Sequence, residues 1–294
     1  MRITFLGTSG STPTPQRGLP SVAIERNGEI FLFDCGEGTQ RQMMNYHVNA
    51  SRVKAVFLTH IHGDHTIGIA GLLRTMALNR RTAPLGIYAP KGSESLKTLI
   101  DFDGAVFNFR IELKNIRKGE IYKGKGFAIS AFPLKHTVTA YGLVLKEDDS
   151  IRFVKDKAQR LGLKGKDFAE LTKRGSLRVK GKTVRLKDIT VKKYGRKIAY
   201  VTDTRPVAEA ASAARDADVL IHESTYSERD GALARERLHS TSVEAAGIAK
   251  RARAKRLVLI HPSARYRDSE QLAREARKSF RNTEFAHDGL EINI

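Results

Sequence analysis

Apolar residues in the first part of the chain recur in short alternating or continuous runs. Residues 1–6, 21–25, 30–33 and 53–58 read as strands, separated by Gly, Pro and Asn. The period then changes. Ile69, Leu72, Leu73 and Met76 return at helical spacing and predict a helix over 68–79, with a second over 93–99. Strand patterns reappear at 127–133 and 141–145. The second half alternates strands at 197–202, 219–222 and 257–260 with helices at 207–215, 242–253 and 268–280. Thr241-Ser242-Val243-Glu244 has capping-box spacing at the start of the helix over 242–253. Residues 285–292 return as a strand around Asp288-Gly289. The halves resemble each other loosely, which suits an α/β sandwich with αββα layers and a site along one edge. There is no fixed-period repeat.

Residues 148–196 interrupt this order. Short helices over 153–161 and 166–174 flank Gly162-Leu163-Lys164-Gly165. Strands at 177–179 and 183–186 then form a small hairpin through Lys180-Gly181-Lys182. Apolar content is thin, so the segment is not expected to bury a core alone. It reads as an arm projecting from one domain that spans 1–294.

Charge sharpens that reading. The chain carries 52 Lys and Arg against 32 Asp and Glu, a net charge of +20. Between 151 and 197 there are 17 basic and 4 acidic residues, a local balance of +13. Such an excess points to a polyanionic partner. At 294 residues the chain can bury a substantial core. No apolar run approaches the roughly 20 residues needed to span a membrane. The first residues read as a strand and not as a signal peptide, so no membrane partner and a cytoplasmic location are expected. With one cysteine, no intramolecular disulfide forms. Cys35 follows the run 30–34 and is expected to be a buried thiol.

The chemistry concentrates after Val56-Phe57-Leu58. There, Thr59-His60-Ile61-His62-Gly63-Asp64-His65 packs three imidazoles and a carboxylate into six residues. That is the layout of a two-metal hydrolytic site. His60 and His62 alternate and can reach one cation; Asp64 and His65 are displaced towards a second. Imidazole with carboxylate suits zinc first, then manganese or iron. Four donors cannot hold two ions. His136, Asp203 and His261 each follow a β-rich apolar run, as His60 does, and strand ends of one layer converge on a shared rim.

The string T-H-x-H-x-D-H, His136, Asp203 in V-T-D-T-R-P and His261 look like the metallo-β-lactamase fold. Further motifs are F-D-C-G-E-G-T-Q at 33–40, H-E-S-T-Y at 222–226, L-H-S-T-S-x-E-A-A at 238–246 and I-H-P-S-A-R-Y at 260–266. With these the chain resembles ribonuclease Z, the endonuclease that trims the 3′ trailer from precursor tRNA. The resemblance runs from the first strand to about Tyr266.

The resemblance implies a hydrolase with two Zn²⁺ per subunit and attack on the phosphodiester by a metal-activated hydroxide. It implies that His60, His62 and His136 bind one metal, that Asp64, His65 and His261 bind the other, and that Asp203 bridges them. Asp64 is thereby also placed in the catalytic set. His239 lies outside the ligand set and is the candidate general acid for the ribose 3′-oxygen; Glu223 would hold its other nitrogen. His222 is expected on the opposite strand face, in a structural role. Arg265 is a candidate phosphate contact, and Asp34 a partner of a ligand histidine. The segment over 148–196 would be the arm that grips precursor tRNA, with Lys164, Lys166, Lys173 and Arg174 as candidate contacts. A homodimer is also implied.

The chain departs from the family twice. The usual P-x-K-x-R-N loop reads Pro13-Thr14-Pro15-Gln16-Arg17-Gly18, and the arm's Gly-Pro pair is replaced by Gly165-Lys166. One rival reading is a binuclear zinc phosphodiesterase acting on small phosphodiesters, which leaves the +13 segment unexplained. Another is a noncatalytic RNA-binding protein, against which all seven ligand positions hold competent donors. Only 57 residues separate Asp203 from His261, too few for the large cap of a third, related nuclease branch.

Overall fold

The computed structural model of the chain describes residues 1–92 and 94–294. It divides into two compact units, Met1–Leu145 with Lys197–Ile294, and Lys146–Arg196.

The larger unit is built on two seven-stranded sheets. One runs in the order Glu291–Asn293, Arg2–Gly7, Ser21–Arg26, Glu29–Phe33, Val53–Phe57, Leu85–Pro90, Ile111–Ile116. The other runs Thr283–Phe285, Leu257–Ile260, Val219–Glu223, Lys197–Val201, Tyr141–Glu147, Phe127–Pro133, Gly119–Gly124. The sheets face each other across Phe5, Phe31, Phe33, Phe57, Leu143, Tyr200, Ile221 and Val258. Strand alternation sends the intervening residues outward to the helices. Leu32, Val56 and Ile87 meet Leu72, Leu73 and Met76 of helix Gly68–Leu78. On the other side Leu220, Leu257 and Leu259 meet Ala245, Ala249 and Ala252 of helix Ser242–Ala252 and Leu272 of helix Glu270–Arg277. The result is a four-layer αββα sandwich. Strands covered on both faces read as continuous apolar runs, as in Val219-Leu220-Ile221.

Several expectations shift. The strand expected over 285–292 is two strands, Thr283–Phe285 and Glu291–Asn293, one in each sheet. The Asp288-Gly289 turn carries the chain across, with Gly289 at φ 83°. The helix expected over 93–99 is described as Glu94–Asp101, with Ser93 outside the described residues. Strands Leu85–Pro90, Ile111–Ile116 and Gly119–Gly124 and helix Thr39–Asn45 were not anticipated.

The unit Lys146–Arg196 also differs from expectation. It closes with a hairpin of Ser150–Phe153 and Thr190–Lys193, inside which lie helices Lys155–Arg160 and Gly165–Arg174 and the hairpin Ser176–Val179/Lys182–Arg185. It gathers its few apolar residues into a cluster of its own: Ala158, Leu163, Leu171, Val184 and Ile189, flanked by Phe153 and Phe168. The helical spacing of Phe168 and Leu171 aims both inward, so even a thin apolar complement closes a small core. No helix among the described residues is long and apolar enough to cross a membrane.

Candidate metal centre

The candidate ligands follow the C-terminal ends of strands in both sheets. His60 follows Val53–Phe57, His136 follows Phe127–Pro133, Asp203 follows Lys197–Val201 and His261 follows Leu257–Ile260. His62 precedes the short helix Gly63–Thr66, which carries Asp64 and His65. Asp34, Asp203 and His261 have left-handed backbones, with φ of 59°, 44° and 64°. Asp and His tolerate that region better than most residues, and such strain gathers where geometry matters. Gly10 lets the first loop reach the rim, since a Cβ there would stand 2.6 Å from His261 Nδ1.

Donor atoms form two groups, each lying within 4.8 Å of one another. In the first, His62 Nδ1 is 3.1 Å from His60 Nε2 and 3.2 Å from His136 Nε2, and Asp203 Oδ2 lies 3.6 and 3.7 Å from those two Nε2 atoms. In the second, Asp203 Oδ1 lies 3.4 Å from His65 Nε2 and 3.2 Å from His261 Nε2, while Asp64 Oδ2 lies 3.5 and 3.6 Å from the same atoms. Donors about 2.0–2.1 Å from a tetrahedral zinc stand roughly 3.3 Å apart, which these spacings approximate. His65 Nε2 and His261 Nε2 are buried without a hydrogen-bond partner, as expected of nitrogens reserved for a metal. The donor set therefore fits two divalent cations, with the two oxygens of Asp203 facing different groups.

The opposite ring nitrogens are fixed by neighbours. Asp34 Oδ2 meets His65 Nδ1 at 2.9 Å, and the same carboxylate accepts from Tyr200 Oη at 2.9 Å and Thr59 N at 2.8 Å. Thr59 Oγ1 meets His60 Nδ1 at 3.0 Å, and Thr225 Oγ1 meets His261 Nδ1 at 3.0 Å. Such contacts set which nitrogen points inward.

Electrostatics agree with this arrangement. Burial holds His60, His62 and His136 below the ordinary histidine range, favouring the neutral, metal-binding form. Burial opposes ionisation of Asp64 and Asp203, but the surrounding histidines outweigh it and lower both. Burial also opposes a charged His65, yet Asp203 and Asp34 push it upward, so this ligand would release a proton on metal binding.

His239 sits beside the centre in the loop before helix Ser242–Ala252. Its Nδ1 is 3.0 Å from Glu223 Oε1. Glu223 is buried and saturated: it accepts from Thr204 N at 2.8 Å, Thr225 N at 3.1 Å and Thr225 Oγ1 at 2.7 Å. Burial disfavours charge on both groups, but each partner outweighs it, raising His239 to about 9 and lowering Glu223 to about 2. Glu223, His239 and His261 also fall within ligand distance of one another, but the hydrogen bonds of Glu223 mark it as an orienting group.

A cleft of about 340 Å³ opens over the centre, bordered by His62, Asp64, Asp203, His239, Tyr226, Arg237 and Arg265. Arg265 lies over the Tyr226 ring at 5.2 Å. A larger cleft of about 610 Å³ runs along residues 13–18 and helix Thr39–Asn45, and no cluster of metal-ligating groups lines it among the described residues. Chemistry, not volume, marks the candidate site.

Arg17 is held by Thr8 Oγ1, the Ala286 carbonyl and Ser269 Oγ. Lys164 precedes helix Gly165–Arg174, which carries Lys166, Lys173 and Arg174; all four are exposed in the smaller unit. His222 is buried, with Nδ1 2.7 Å from the Glu223 carbonyl. Sequence reasoning passed over Thr225 and Tyr200. Thr225 lies inside a quoted motif, whereas Tyr200 looks like one more core aromatic.

A four-layer sandwich with paired His and Asp clusters on one rim defines a metallo-β-lactamase-fold protein. Residues 168–262 match the family model described as Beta-lactamase superfamily domain, and residues 1–170 match that described as Anti-Pycsar protein Apyc1. Full-length relatives narrow the class. The chain is 42% identical to the ribonuclease Z of Gemmatimonas aurantiaca, covering 99% of this chain and 95% of the relative. It is 40% identical to that of Acaryochloris marina, covering 100% and 98%. The crystal structure of human tRNase Z, short form, superposes with a TM-score of 0.75 at 28% identity, covering 100% of this chain and 99% of that one. The chain belongs to the ribonuclease Z family, hydrolases that cut phosphodiester bonds as endoribonucleases.

Proposed function

We propose that this chain is a zinc-dependent endoribonuclease that removes the 3′ trailer of precursor tRNA. The observation that carries the reading is the division of Asp203 between two donor groups, with the His239–Glu223 pair beside them. In it His60, His62 and His136 hold one cation, Asp64, His65 and His261 hold the other, and Asp203 joins both. Bound there, two divalent cations would supply an activated water and Lewis-acid neutralisation of charge developing at phosphorus.

The chain's own groups do the rest. Hydrolysis adds water across the phosphodiester and releases a ribose 3′-oxygen, which needs a proton. Glu223 takes up His239 Nδ1, leaving Nε2 to donate at the border of the cleft. Arg265 and Arg237, on the same border, contact phosphate oxygens.

The basic unit Lys146–Arg196 binds the tRNA body through its backbone charge, with Lys164, Lys166, Lys173 and Arg174 among the contacts. A cytoplasmic homodimer belongs to the same proposal. Met44, Ile67 and Leu78, on or beside two helices that pack together, are exposed apolar residues such an association would cover.

The test is incubation of the zinc-loaded protein with a trailer-bearing tRNA precursor and, separately, a small chromogenic phosphodiester, with metal content measured alongside. Release of an intact trailer with about two metals per chain supports the proposal. Turnover of the small ester alone would favour the small-phosphodiester reading, and binding without either cleavage would favour an RNA-binding protein.

A further inference from the structure

Arg205 supplies no candidate ligand atom, yet it fastens the Asp203 turn to the loop bearing His239. Its guanidinium donates through both terminal nitrogens to the two carboxylate oxygens of Glu244, and through Nη1 to the His239 carbonyl. The side chain is only 15% exposed. The adjacent backbone repeats the connection. Arg205 N donates to the Lys135 carbonyl at 2.9 Å, next to His136. Thr204 N donates to Glu223 Oε1, the oxygen facing His239, and Ser240 Oγ donates to the Thr204 carbonyl at 2.6 Å. His239 is thus tied to residues 204–205 through its carbonyl, its ring partner and its successor.

The loop needs such an anchor. Leu238, just before His239, has φ 58°, a conformation a leucine does not hold unaided. Glu244 is itself fixed, accepting from Thr241 N at 2.9 Å in the capping box of helix Ser242–Ala252. A planar guanidinium can serve two carboxylate oxygens and a carbonyl at once; an ammonium cannot match that fork.

We propose that Arg205, oriented by Glu244, is a positioning residue that fixes the His239 imidazole relative to the Asp203 carboxylate. The inference rests on the reading of His239 as proton donor. A misplacement of about 1 Å at such a group costs up to roughly 100-fold in rate.

The test uses Arg205→Ala, Arg205→Lys and Glu244→Gln in the zinc-loaded protein. Glu244→Gln retains a cap acceptor while loosening the fork, so it guards against a mere folding defect. Arg205→Ala should lower kcat on precursor tRNA roughly 10- to 100-fold with KM and metal content near wild type, Arg205→Lys and Glu244→Gln by less. The loss should vanish in a His239→Ala background. The His239 Nδ1 proton resonance, assigned by its disappearance in His239→Ala, should shift or broaden in Arg205→Ala. An equal loss in the His239→Ala background, a loss of metal, or an unmoved resonance would overturn the proposal. If the resonance moves but His239→Ala cleaves normally, the positioning role stands and the proton-donor reading falls.

Discussion

The metal centre and the basic unit Lys146–Arg196 use charge in opposite ways. At the centre the ionisable groups are buried: His60, His65, His261, Asp34 and Glu223 have no exposed surface, and each has its own named contacts. In the basic unit most charges face solvent, and apart from the close Arg196–Glu147 and Lys192–Asp149 pairs near its ends they pair loosely. Arg174 meets Glu170 at 3.1 Å with its side chain 68% exposed. A buried carboxylate has one arrangement that satisfies it, so its replacement is costly. An exposed lysine adds to a sum and is replaceable by its neighbours. Chemistry at the centre should therefore fail residue by residue, whereas RNA affinity should decline gradually with charge.

The largest effect should come from Asp203→Ala. Each oxygen of Asp203 serves a different donor group, so neither group stays complete. Cleavage should fall by at least about 10³-fold, the upper end of what one electrostatic partner is worth, with loss of bound metal. Elemental analysis showing two retained metals, or near-normal cleavage, would refute the shared-carboxylate arrangement. His239→Ala should come next. The rate should drop by roughly 10²–10⁴-fold with metal content near wild type, because the residue completes neither paired group. Normal cleavage, or metal loss, would show that its role is misassigned.

The same contrast explains what could be read from the sequence. The string from His60 to His65 was legible because that density of donors has few other uses, and His136, Asp203 and His261 because each follows an apolar run. The basic unit was legible from charge alone. Its outer hairpin and small core were not, since Ser150–Phe153 and Thr190–Lys193 are short, and pairing across some 40 residues leaves no local signal. Strand Ile111–Ile116 was missed because it lies at a sheet edge, where half-buried Glu112 and exposed Lys114 and Asn115 dilute the apolar pattern. Arg205 was invisible for a related reason. Its partners Lys135, His239 and Glu244 lie far away in sequence, and a lone arginine after a strand resembles any surface residue.

Asp34→Asn should have an intermediate effect. The carboxylate gathers His65 Nδ1, Tyr200 Oη and Thr59, so it orients one ligand and fixes the turn before His60. An amide keeps the shape but loses the charge and one acceptor. Zinc affinity should weaken about 10- to 100-fold, as for other groups that orient a ligand histidine. Competition with a chromogenic chelator measures it, and wild-type affinity would assign Asp34 to packing alone.

The smallest effect on the centre, and the sharpest test of the contrast, is removal of the basic unit's interior. Residues 153–191 can be replaced by a short Gly-Ser linker, because Ile151 and Lys192 are paired neighbours in the closing strand pair and the new ends, Arg152 and Lys192, start close together. The excision takes away most of the +13 charge but no candidate ligand. Binding of precursor tRNA should weaken, and its salt dependence should flatten by about 0.7–0.9 in log–log slope for each phosphate that is no longer neutralised. Single alanine substitutions at Lys164, Lys166, Lys173 or Arg174 should each remove at most one such unit of slope. Metal content should stay near two per chain, and turnover of a small phosphodiester should persist. An equal fall in small-ester turnover would make the basic unit part of the catalytic fold. An unchanged salt slope would make its charge a solvated surface with no RNA on it.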